Sequence, residues 1–387
     1  MHITLVISTL ANGGAERVMT VMANYWAERD QEVTLITFAS AKEDFYSLHP
    51  GIHRVGLNLM GASSHVAVAM KHNFQRLKRL RQEIKASRPD FVLSFIDKTN
   101  VLTLVASVGL GIPVIVSERN DPRQHSIGSA WSGLRFLLYR YADAVVVQSH
   151  AVHDWARRVV EGKSIYIIPN PVKPEFNGSP QVSSRKGVGH IVIAMGRLAR
   201  QKGFDLLLRA FARCARKHLD WSLMILGEGE ERGRLEALAV KLGIKDRVGM
   251  PGRTRDPFRI LCGADLFVLP SRYEGFPNAL VEAMACKLAV IGADCPSGPR
   301  DIIRDGVDGV LVPPNDVDAL AAAMDRLMAN PAERQRLSAR AVEVVERFNI
   351  EKIMNMWDEV FTDVCRMAPR DIPPDNQAKN LQSQTQP

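Results

Sequence analysis

Short apolar runs alternate with amphipathic helical patterns along most of the chain. In the first half these runs predict strands at 3–8, 32–38, 91–95, 114–117, 144–148 and 165–168. The alternation restarts after residue 189, with predicted strands at 191–195, 222–226, 247–250, 266–269, 289–291 and 309–312. Strands separated by helices are typical of parallel sheets with crossover helices. The pattern therefore predicts two successive α/β domains, with a ligand in the cleft at the carboxyl ends of their strands.

The same pattern sets the domain boundaries. We expect an N-terminal domain over 1–172 and a C-terminal domain over 190–347, joined by a linker over 173–189 that is rich in Pro, Ser and Gly. Helical patterns cover 317–328 and 332–347, and a last helix within 348–367 is rich in large apolar residues. The tail 368–387 is rich in Gln, Asn and Pro, a composition that predicts disorder.

Composition narrows the class of protein. The five cysteines form no C-x-x-C pair, which argues against a disulfide framework or a zinc site and fits a reducing compartment. We find no signal peptide and no apolar run long enough to span a bilayer. The net charge of +8 fits an anionic membrane surface, nucleic acid, a phosphate-rich ligand or a solvated basic face, so charge alone does not choose a partner.

Residues 270–282 join a buried strand to a helix through a turn that contains Gly275 and Pro277. Glu274 lies in the loop at the carboxyl end of the strand, and Glu282 lies about one turn into the helix. Free N–H groups at a helix N-terminus bind phosphate, and carboxylates accept hydrogen bonds from sugar hydroxyls. The turn thus predicts a nucleotide-sugar pocket, while a capped turn with two solvent-facing glutamates explains the local pattern equally well.

The loop 196–203 follows the first strand of the second domain and carries Arg197, Arg200 and Lys202. Cations at the end of a strand that faces a cleft neutralise a diphosphate, Arg bidentately and Lys as a point charge. A phosphate leaving group needs such charge if no metal is present. The alternative interpretation is solvated surface charge. It is less favoured because Glu274 and Glu282 lie in the same domain.

Two further sequence patterns give weaker evidence of ligand or metal binding. Gly13 and Gly14 lie between the first strand and a helix, where the backbone can approach a ligand closely, although a tight turn explains them too. Their spacing matches neither a dinucleotide-binding fingerprint nor a P-loop. The D-x-D sequence at 316–318 begins a helix, so N-capping is its simpler interpretation. No other cluster has the spacing of metal ligands, and we expect no metal.

Residues 66–88 predict a basic amphipathic helix. Lys71, Lys78 and Arg81 are among the cations around its apolar stripe, against a single acid, Glu83. Such a helix binds anionic lipid headgroups or a lipid-linked phosphate, and an ordinary packed helix with a solvated face is the alternative. Because aromatic interleaving and a recognised motif are missing, we expect no nucleic-acid partner.

The loop 117–123 follows a strand of the first domain and should face the cleft. It contains Glu118, Arg119 and Asn120 where an acceptor would enter. A surface ion-pair cluster is the alternative.

Four motifs occur in an order that resembles a known family. They are N-G-G-A-E-R at 12–17, I-P-N-P-V at 168–172, G-R-L-x-x-Q-K-G-F at 196–204 and E-G-F-P-N-A-L-V-E at 274–282. Together they resemble glycosyltransferase family 4, retaining enzymes of the GT-B fold, over about residues 1–365. The resemblance implies two Rossmann-like parallel-sheet domains that face a cleft, with the donor nucleotide sugar held by the second. It also implies that the last helix crosses back onto the first domain.

The resemblance further implies roles for individual residues. Arg197 and Lys202 would bind the donor diphosphate and stabilise the leaving group. Glu282 would bind the ribose and Glu274 the donor sugar. The other donor-site candidates are positions near the sugar, the phosphates or the base: Gly13, Gly14, Gly252, Arg253, Phe276, Pro277, Asn278, Ala279 and Leu280. The acceptor candidates are Glu118, Arg119, Asn120, Lys71, Lys78 and Arg81. Many relatives place a His in the loop at 118–120, and the nearest candidate in this chain is His125.

The implied function is that of a retaining, metal-independent hexosyltransferase. It would move a hexose or N-acetylhexosamine from a UDP-sugar to a polyprenyl-diphosphate-linked oligosaccharide in surface-glycan biosynthesis. The S-E-R-N-D-P sequence at 117–122 is closest to bacterial enzymes of this kind. The expected location is cytoplasmic, peripheral on the inner face of the plasma membrane. A UDP-sugar epimerase of the same fold and a non-catalytic nucleotide-sugar-binding protein stay open as alternatives.

Overall fold

The computed structural model describes residues 1–61, 66–160, 162, 164–172, 189–254 and 256–367. The predicted disordered tail lies outside these residues, and so does the predicted linker apart from Gly189. No helix in the described part of the chain is long and apolar enough to cross a membrane.

The first domain is a seven-stranded parallel sheet with the strand order β3-β2-β1-β4-β5-β6-β7. Its strands are β1 (His2–Ile7), β2 (Glu32–Thr37), β3 (His53–Gly56), β4 (Phe91–Phe95), β5 (Val114–Ser117), β6 (Ala144–Val147) and β7 (Ser164–Ile167). Its helices are α1 (Gly14–Ala27), α2 (Val66–Ser87), α3 (Asp97–Ser107), α4 (Ser129–Leu138) and α5 (His150–Val159). Successive residues of β1 face different cores, Leu5 on one side and Val6 on the other, because strand side chains alternate.

The second domain repeats this plan with six parallel strands in the order β10-β9-β8-β11-β12-β13. Its strands are β8 (His190–Met195), β9 (Trp221–Leu226), β10 (Val248–Gly252), β11 (Leu266–Leu269), β12 (Ala289–Ala293) and β13 (Val310–Val312). The helices that follow β8 are α6 (Phe204–Cys214), α7 (Arg232–Lys241), α8 (Pro257–Leu261), α9 (Asn278–Ala285), α10 (Pro299–Ile302), α11 (Val317–Ala329), α12 (Pro331–Ala341), α13 (Val344–Arg347) and α14 (Ile350–Met367). The predicted fold class, two parallel α/β domains, is confirmed.

The strand order fixes where a ligand can bind. In each parallel sheet the strand order reverses after the third strand, so β1 lies beside β4 and β8 lies beside β11. Loops that leave the two neighbouring strands at such a point diverge to opposite faces and open a crevice at the carboxyl edge. The loops after β1, β4, β8 and β11 are therefore the ones positioned for function.

Helix α14 returns to the first domain after the second domain is complete. Phe361 stacks on Phe91 with ring centroids 4.0 Å apart, and it lies 5.5 Å from the ring of Trp26. Trp357 lies 6.2 Å from Phe95. Aromatic side chains of this size bury roughly 150–250 Å² each, so this contact is a large part of what joins the two domains.

Two elements differ from the sequence prediction. Strand β3 was not predicted, because its residues His53 and Arg54 interrupt the apolar pattern at the edge of the sheet. The predicted helix over 332–347 is divided into α12 and α13. The turn between them contains Glu343, which pairs with Arg304 of a distant loop at 2.7 Å, a tertiary contact that no local pattern encodes.

Candidate active site

Lys202 and Glu274 meet where the loops after β8 and β11 leave the second sheet. Lys202 Nζ donates to Glu274 Oε1 at 2.7 Å and to Oε2 at 2.9 Å, and Ser271 Oγ donates to Oε1 at 2.6 Å. The Glu274 side chain is 4% exposed and that of Lys202 20%. A buried carboxylate thus anchors an ammonium group that keeps part of its surface open to solvent.

The two loops are tied together around this pair. Gln201 Nε2 donates to the carbonyl oxygen of Tyr273 at 3.0 Å, and Arg272 binds both oxygens of Asp205 at 2.8 Å. Gly203 has φ +67°, and a Cβ at this position would lie 2.1 Å from the carbonyl oxygen of Pro270. Only glycine allows this approach, which explains the glycine at the end of the predicted cationic loop.

Arg197 is exposed and lies near the first domain. Burial raises the pKa of Glu16, in the first turn of α1, and the positive charge of Arg197 opposes that rise. The predicted cation therefore faces the cleft from the second domain, as the loop order at the crevice predicts.

The turn between Glu274 and Asn278 ends at the N-terminus of α9. Phe276 and Pro277 are buried, whereas Asn278 and Ala279 are partly exposed. Among the described residues, no protein group accepts a hydrogen bond from the N–H of Gly275, Phe276 or Ala279. The helix start therefore offers donors and partial positive charge, the features that bind phosphate. The next residue, Leu280, is fully buried, so it contributes packing and backbone only.

Glu282 lies on the face of α9 that meets the first domain. Arg17 Nη1 donates to its Oε1 at 2.5 Å, between residues 265 positions apart in the chain. The Glu282 side chain is 7% exposed and that of Arg17 23%. Both residues line a small cavity between α1, α9 and Pro171. The carboxylate predicted to bind ribose is therefore held at the domain boundary by a cation.

The glycine loop of the first domain reaches the same place. Asn278 Nδ2 donates to the carbonyl oxygen of Gly14 at 3.2 Å, and Gly13 is the residue before α1. The structure thus brings Gly13 and Gly14 next to the turn with Glu274. Gly252 and Arg253 lie at the end of β10, two strands away from β8, with Gly252 buried and Arg253 exposed.

Glu118 is buried inside the first domain. Tyr139 Oη donates to Glu118 Oε1 at 2.6 Å, and Arg135 Nη1 lies 3.5 Å from the same oxygen. Burial raises the pKa of Glu118 to about 7, and the nearby Asp97 carboxylate adds to the rise, while Arg135 and the Tyr139 hydrogen bond oppose it. Its side chain does not line the surface of the cleft in this structure.

The rest of the predicted acceptor loop is also directed inward. Arg119 is 7% exposed, with its guanidinium 3.4 Å from the ring centroid of Phe95. Asn120 is partly buried. His125 Nε2 lies 3.5 Å from Asp97 Oδ2 at the start of α3 and is a third exposed. His125, unlike Glu118, is thus accessible at the carboxyl edge of the first sheet.

The two halves of the chain match two family models. Residues 12–176 match Glycosyltransferase Family 4, and residues 179–344 match Glycosyl transferases group 1. The chain therefore belongs to the glycosyltransferases that these two models describe.

A bacterial relative is similar to this glycosyltransferase over nearly its whole length. It is the "GalNAc-alpha-(1->4)-GalNAc-alpha-(1->3)-diNAcBac-PP-undecaprenol alpha-1,4-N-acetyl-D-galactosaminyltransferase" of Campylobacter jejuni. The two chains are 29% identical over 370 residues, which cover 94% of this chain and 99% of the relative.

Solved structures share the fold of this glycosyltransferase. The sucrose-phosphate synthase of Thermosynechococcus elongatus has a TM-score of 0.76 at 20% identity, over 94% of this chain and 98% of that chain. Anabaena HepE in complex with UDP has a TM-score of 0.74 at 19% identity, over 94% of this chain and 100% of that chain. At these identities the likeness shows the fold alone, which is GT-B.

The basic helix of the glycosyltransferase is α2, and its predicted acceptor residues lie on the outside of the first domain. Lys71 and Lys78 are exposed. Arg81 Nη1 donates to the carbonyl oxygens of Ala106 and Val108 at 2.8 and 2.6 Å, at the end of α3. Arg81 therefore also caps a helix C-terminus, where a cation is stabilising.

The D-x-D sequence of the glycosyltransferase begins a helix. Asp316 accepts a hydrogen bond from the N–H of Ala319 at 2.8 Å, and Asp318 pairs with Arg213. The predicted N-cap is thus observed. Within the described ranges no group of three or more His, Cys, Asp or Glu side chains could hold a metal ion.

Sequence analysis missed three side chains at the site of this glycosyltransferase. Arg17 and Ser271 lie inside stretches already singled out, at 12–17 and 270–282, but their partners are known only from the fold. Ser297 Oγ donates to the carbonyl oxygen of Glu274. It lies in the Pro- and Gly-containing loop after β12, the neighbour of β11, so its position at a strand end was the available signal.

Proposed function

We propose that this glycosyltransferase moves a hexose or N-acetylhexosamine from a UDP-sugar to a polyprenyl-diphosphate-linked oligosaccharide, with retention of the anomeric configuration. The observation that carries the proposal is the Lys202–Glu274 pair beside the open N-terminus of α9, at the crevice of the second sheet. The name of the Campylobacter relative gives a diphospho-undecaprenol-linked acceptor, and HepE is solved with UDP. Both support this substrate class.

The proposed chemistry is stabilisation of the departing UDP. As the bond between the anomeric carbon and the diphosphate oxygen breaks, negative charge grows on the diphosphate. Lys202, Arg197 and the N–H groups of Gly275 and Phe276 would bind it. One preorganised donor of this kind contributes about 10²–10³ in rate. In this proposal the cations of the protein, rather than a metal ion, neutralise the leaving group.

The two glutamates have separate roles in the proposal. Glu274, fixed by Lys202 and Ser271, would accept hydrogen bonds from the donor sugar. Glu282 would exchange part of its contact with Arg17 for the ribose hydroxyls. Because each carboxylate is bound by a cation, neither is placed as half of a general acid and base couple. This favours a transfer driven by leaving-group stabilisation.

We also propose that the acceptor is met at an anionic membrane surface, on the inner face of the plasma membrane. Large apolar side chains are exposed on helices α2 and α4, directly after α3 and in the turn after α4, and α3 packs against both α2 and α4. The most exposed are Phe74 at 69%, Val108 at 67%, Tyr141 at 66%, Phe136 at 54% and Leu137 at 49%. Helix α2 also carries exposed cations, namely Lys71, Lys78, Arg79, Arg81 and Lys85. Exposed apolar side chains and cations on neighbouring helices match an anionic bilayer.

The first experiment tests transfer. The protein is incubated with UDP-glucose, UDP-galactose and their N-acetylamino forms, with and without an undecaprenyl-diphosphate-linked oligosaccharide. We expect one sugar to be transferred and Lys202→Ala or Glu282→Ala to lose at least about 100-fold in rate. Lys241→Ala, a surface lysine at the end of α7, is the matched control and should keep wild-type activity. Formation of a sugar epimer without acceptor, or UDP-sugar binding without turnover, would contradict the proposal.

The second experiment tests the membrane surface. Co-sedimentation with vesicles that contain phosphatidylglycerol is compared with neutral vesicles. We expect Phe136→Ser with Leu137→Ser to weaken binding to the anionic vesicles, because each removes exposed apolar area from α4. Val240→Ser, an equally exposed apolar residue of the second domain at 57%, is the control. Unchanged sedimentation of the double variant would contradict this contact.

A further inference from the structure

The turn at Glu274 and Gly275 rests directly on the first domain. A Cβ on Gly275 would lie 2.3 Å from the carbonyl oxygen of Arg119 and 3.1 Å from the Cα of Asn120. Two backbones therefore meet with no side chain between them. Ser297 bonds the Glu274 carbonyl oxygen on the other side. The turn that carries the sugar-binding candidate is thus also a contact between the domains.

Side-chain hydrogen bonds join this turn to the hinge. Asn170 lies between Pro169 and Pro171, where the chain leaves the first domain, and it is 4% exposed. Its Nδ2 donates to Asn278 Oδ1 at 2.6 Å, and Asn278 Nδ2 donates to the carbonyl oxygen of Gly14 at 3.2 Å. We name the bond between Asn170 and Asn278 the clasp. It connects the hinge to the first residue of α9.

A buried cation holds the other end of the Asn170 side chain. Arg119 Nη1 donates to Asn170 Oδ1 at 2.7 Å, and its guanidinium lies 3.4 Å from the ring centroid of Phe95 and 5.9 Å from that of Trp357. No carboxylate pairs with Arg119 in the described part of the chain, and its Nε and Nη2 have no hydrogen-bond partner there. Because a buried guanidinium needs its few acceptors, the Asn170 amide has little freedom to turn.

We propose that Asn170 is a positioning residue whose hydrogen bond to Asn278 holds the turn with Glu274 against the first domain. A hydrogen bond of 2.6 Å weakens steeply with distance and angle, so the clasp forms only over a narrow range of domain orientations. It is made when the cleft is arranged as in this structure and is lost when the domains rotate apart. The effect on domain arrangement stands by itself, whereas its effect on catalysis rests on the proposed function.

Two substitutions separate the clasp from the contact with Arg119. Asn170→Ala removes the hydrogen bonds with Asn278 and Arg119, and also the one that Gln148 Nε2 donates to Asn170 Oδ1 at 2.5 Å. Asn170→Asp keeps an acceptor for Arg119 but lacks the N–H that Asn278 accepts. Tyr166→Phe is the matched control, since it removes a hydrogen bond of 2.9 Å to Asp363 of α14, away from the turn.

Amide hydrogen exchange of the segment 275–285 is measured without nucleotide and then with UDP. We expect Asn170→Asp to exchange about fivefold faster there without nucleotide, as the loss of one hydrogen bond predicts, Asn170→Ala to exchange at least as fast, and Tyr166→Phe to match the wild type. An Asn170→Asp protein that exchanges like the wild type would overturn the proposal, because Asn170 would then only hold Arg119. Faster exchange spread evenly over the second domain would overturn it too, since it would show a general loss of stability.

Kinetics give the second readout. For whichever sugar the wild type transfers, we expect Asn170→Asp to lower kcat about tenfold with the donor KM within about twofold, because the donor contacts remain while their placement is lost. A change confined to KM would overturn the positioning role. If the wild type transfers no sugar, the proposed function fails, and the exchange measurement without nucleotide still decides the clasp.

Discussion

Replacing Glu118 by Gln should remove a pH dependence of stability that burial builds into the first domain. Glu118 lies fully inside that domain, with Tyr139 and Arg135 as its partners, and burial raises the pKa of its carboxyl from 4.5 to about 7. Gln keeps the size of the side chain and an acceptor for the Tyr139 hydroxyl, but it does not titrate. The substitution therefore isolates the ionisation of one buried group.

Proton linkage gives the sign and size of the change in unfolding free energy with pH. Below pH 4.5 the carboxyl is protonated in both the folded and the unfolded chain, and the stability due to the raised pKa is fully present. Between pH 4.5 and 7 the unfolded chain loses this proton and the folded chain keeps it, so the free energy of unfolding falls as pH rises. At about 1.4 kcal/mol per pH unit, a pKa raised from 4.5 to about 7 corresponds to about 3 kcal/mol, lost once pH exceeds 7.

The assay is thermal unfolding of the wild type and of Glu118→Gln at pH 5 to 8, with the difference between the two taken at each pH. We expect that difference to shift toward the variant by roughly 5–10 °C across the range, because about 2.5 kcal/mol of the change falls between pH 5 and 8 and 1 kcal/mol moves the midpoint of a domain of this size by about 2–4 °C. A flat difference for Glu118→Gln would show that Glu118 is already ionised in the folded state, and the burial argument would be wrong.

Two further predictions concern the turn with Glu274. In a double-mutant cycle measured by urea unfolding, Lys202→Ala and Glu274→Ala should show a coupling energy of about 2 kcal/mol. This is less than for a fully buried pair because the Lys202 side chain is 20% exposed. A coupling energy near zero would show that the two side chains do not stabilise each other. Gly275→Ala should lower transfer at least about tenfold with little change in the unfolding midpoint, since the new Cβ would displace the turn from the facing carbonyl oxygen 2.3 Å away. Gly233→Ala, a helix position with open space, should leave transfer unchanged.

Most of the fold was predictable from local pattern. Apolar runs with helices between them require parallel strands, and the order of the loops places Lys202 and Glu274 at neighbouring strand ends of one sheet. Gly275 was predicted as a turn residue, and the structure shows that it approaches the carbonyl oxygen of Arg119. These features depend on residues close in sequence or on the fixed geometry of one sheet, which is why the sequence was sufficient.

The loop with Glu118 and Arg119 shows a feature that the local sequence pattern does not predict, namely the direction of the side chains. Polar residues at a strand end predict a surface facing the cleft, yet both side chains turn into the core, toward Tyr139 and Phe95. Period and polarity give the position of a loop but not the direction of its side chains, because that direction depends on which buried partners are within reach. The accessible residue of this loop is His125, beside Asp97.

The amino-acid sequence by itself determined the two α/β domains and the family, because the alternation of strands and helices and the short motifs are both local features of the chain. Only the tertiary structure decided how the domains meet. Arg17 pairs with Glu282, and Asn170 with Asn278, across 265 and 108 positions of the chain. Such pairs depend on the orientation of one domain against the other, which is fixed by the sum of many contacts, including the aromatic packing of α14, and by no single stretch of residues.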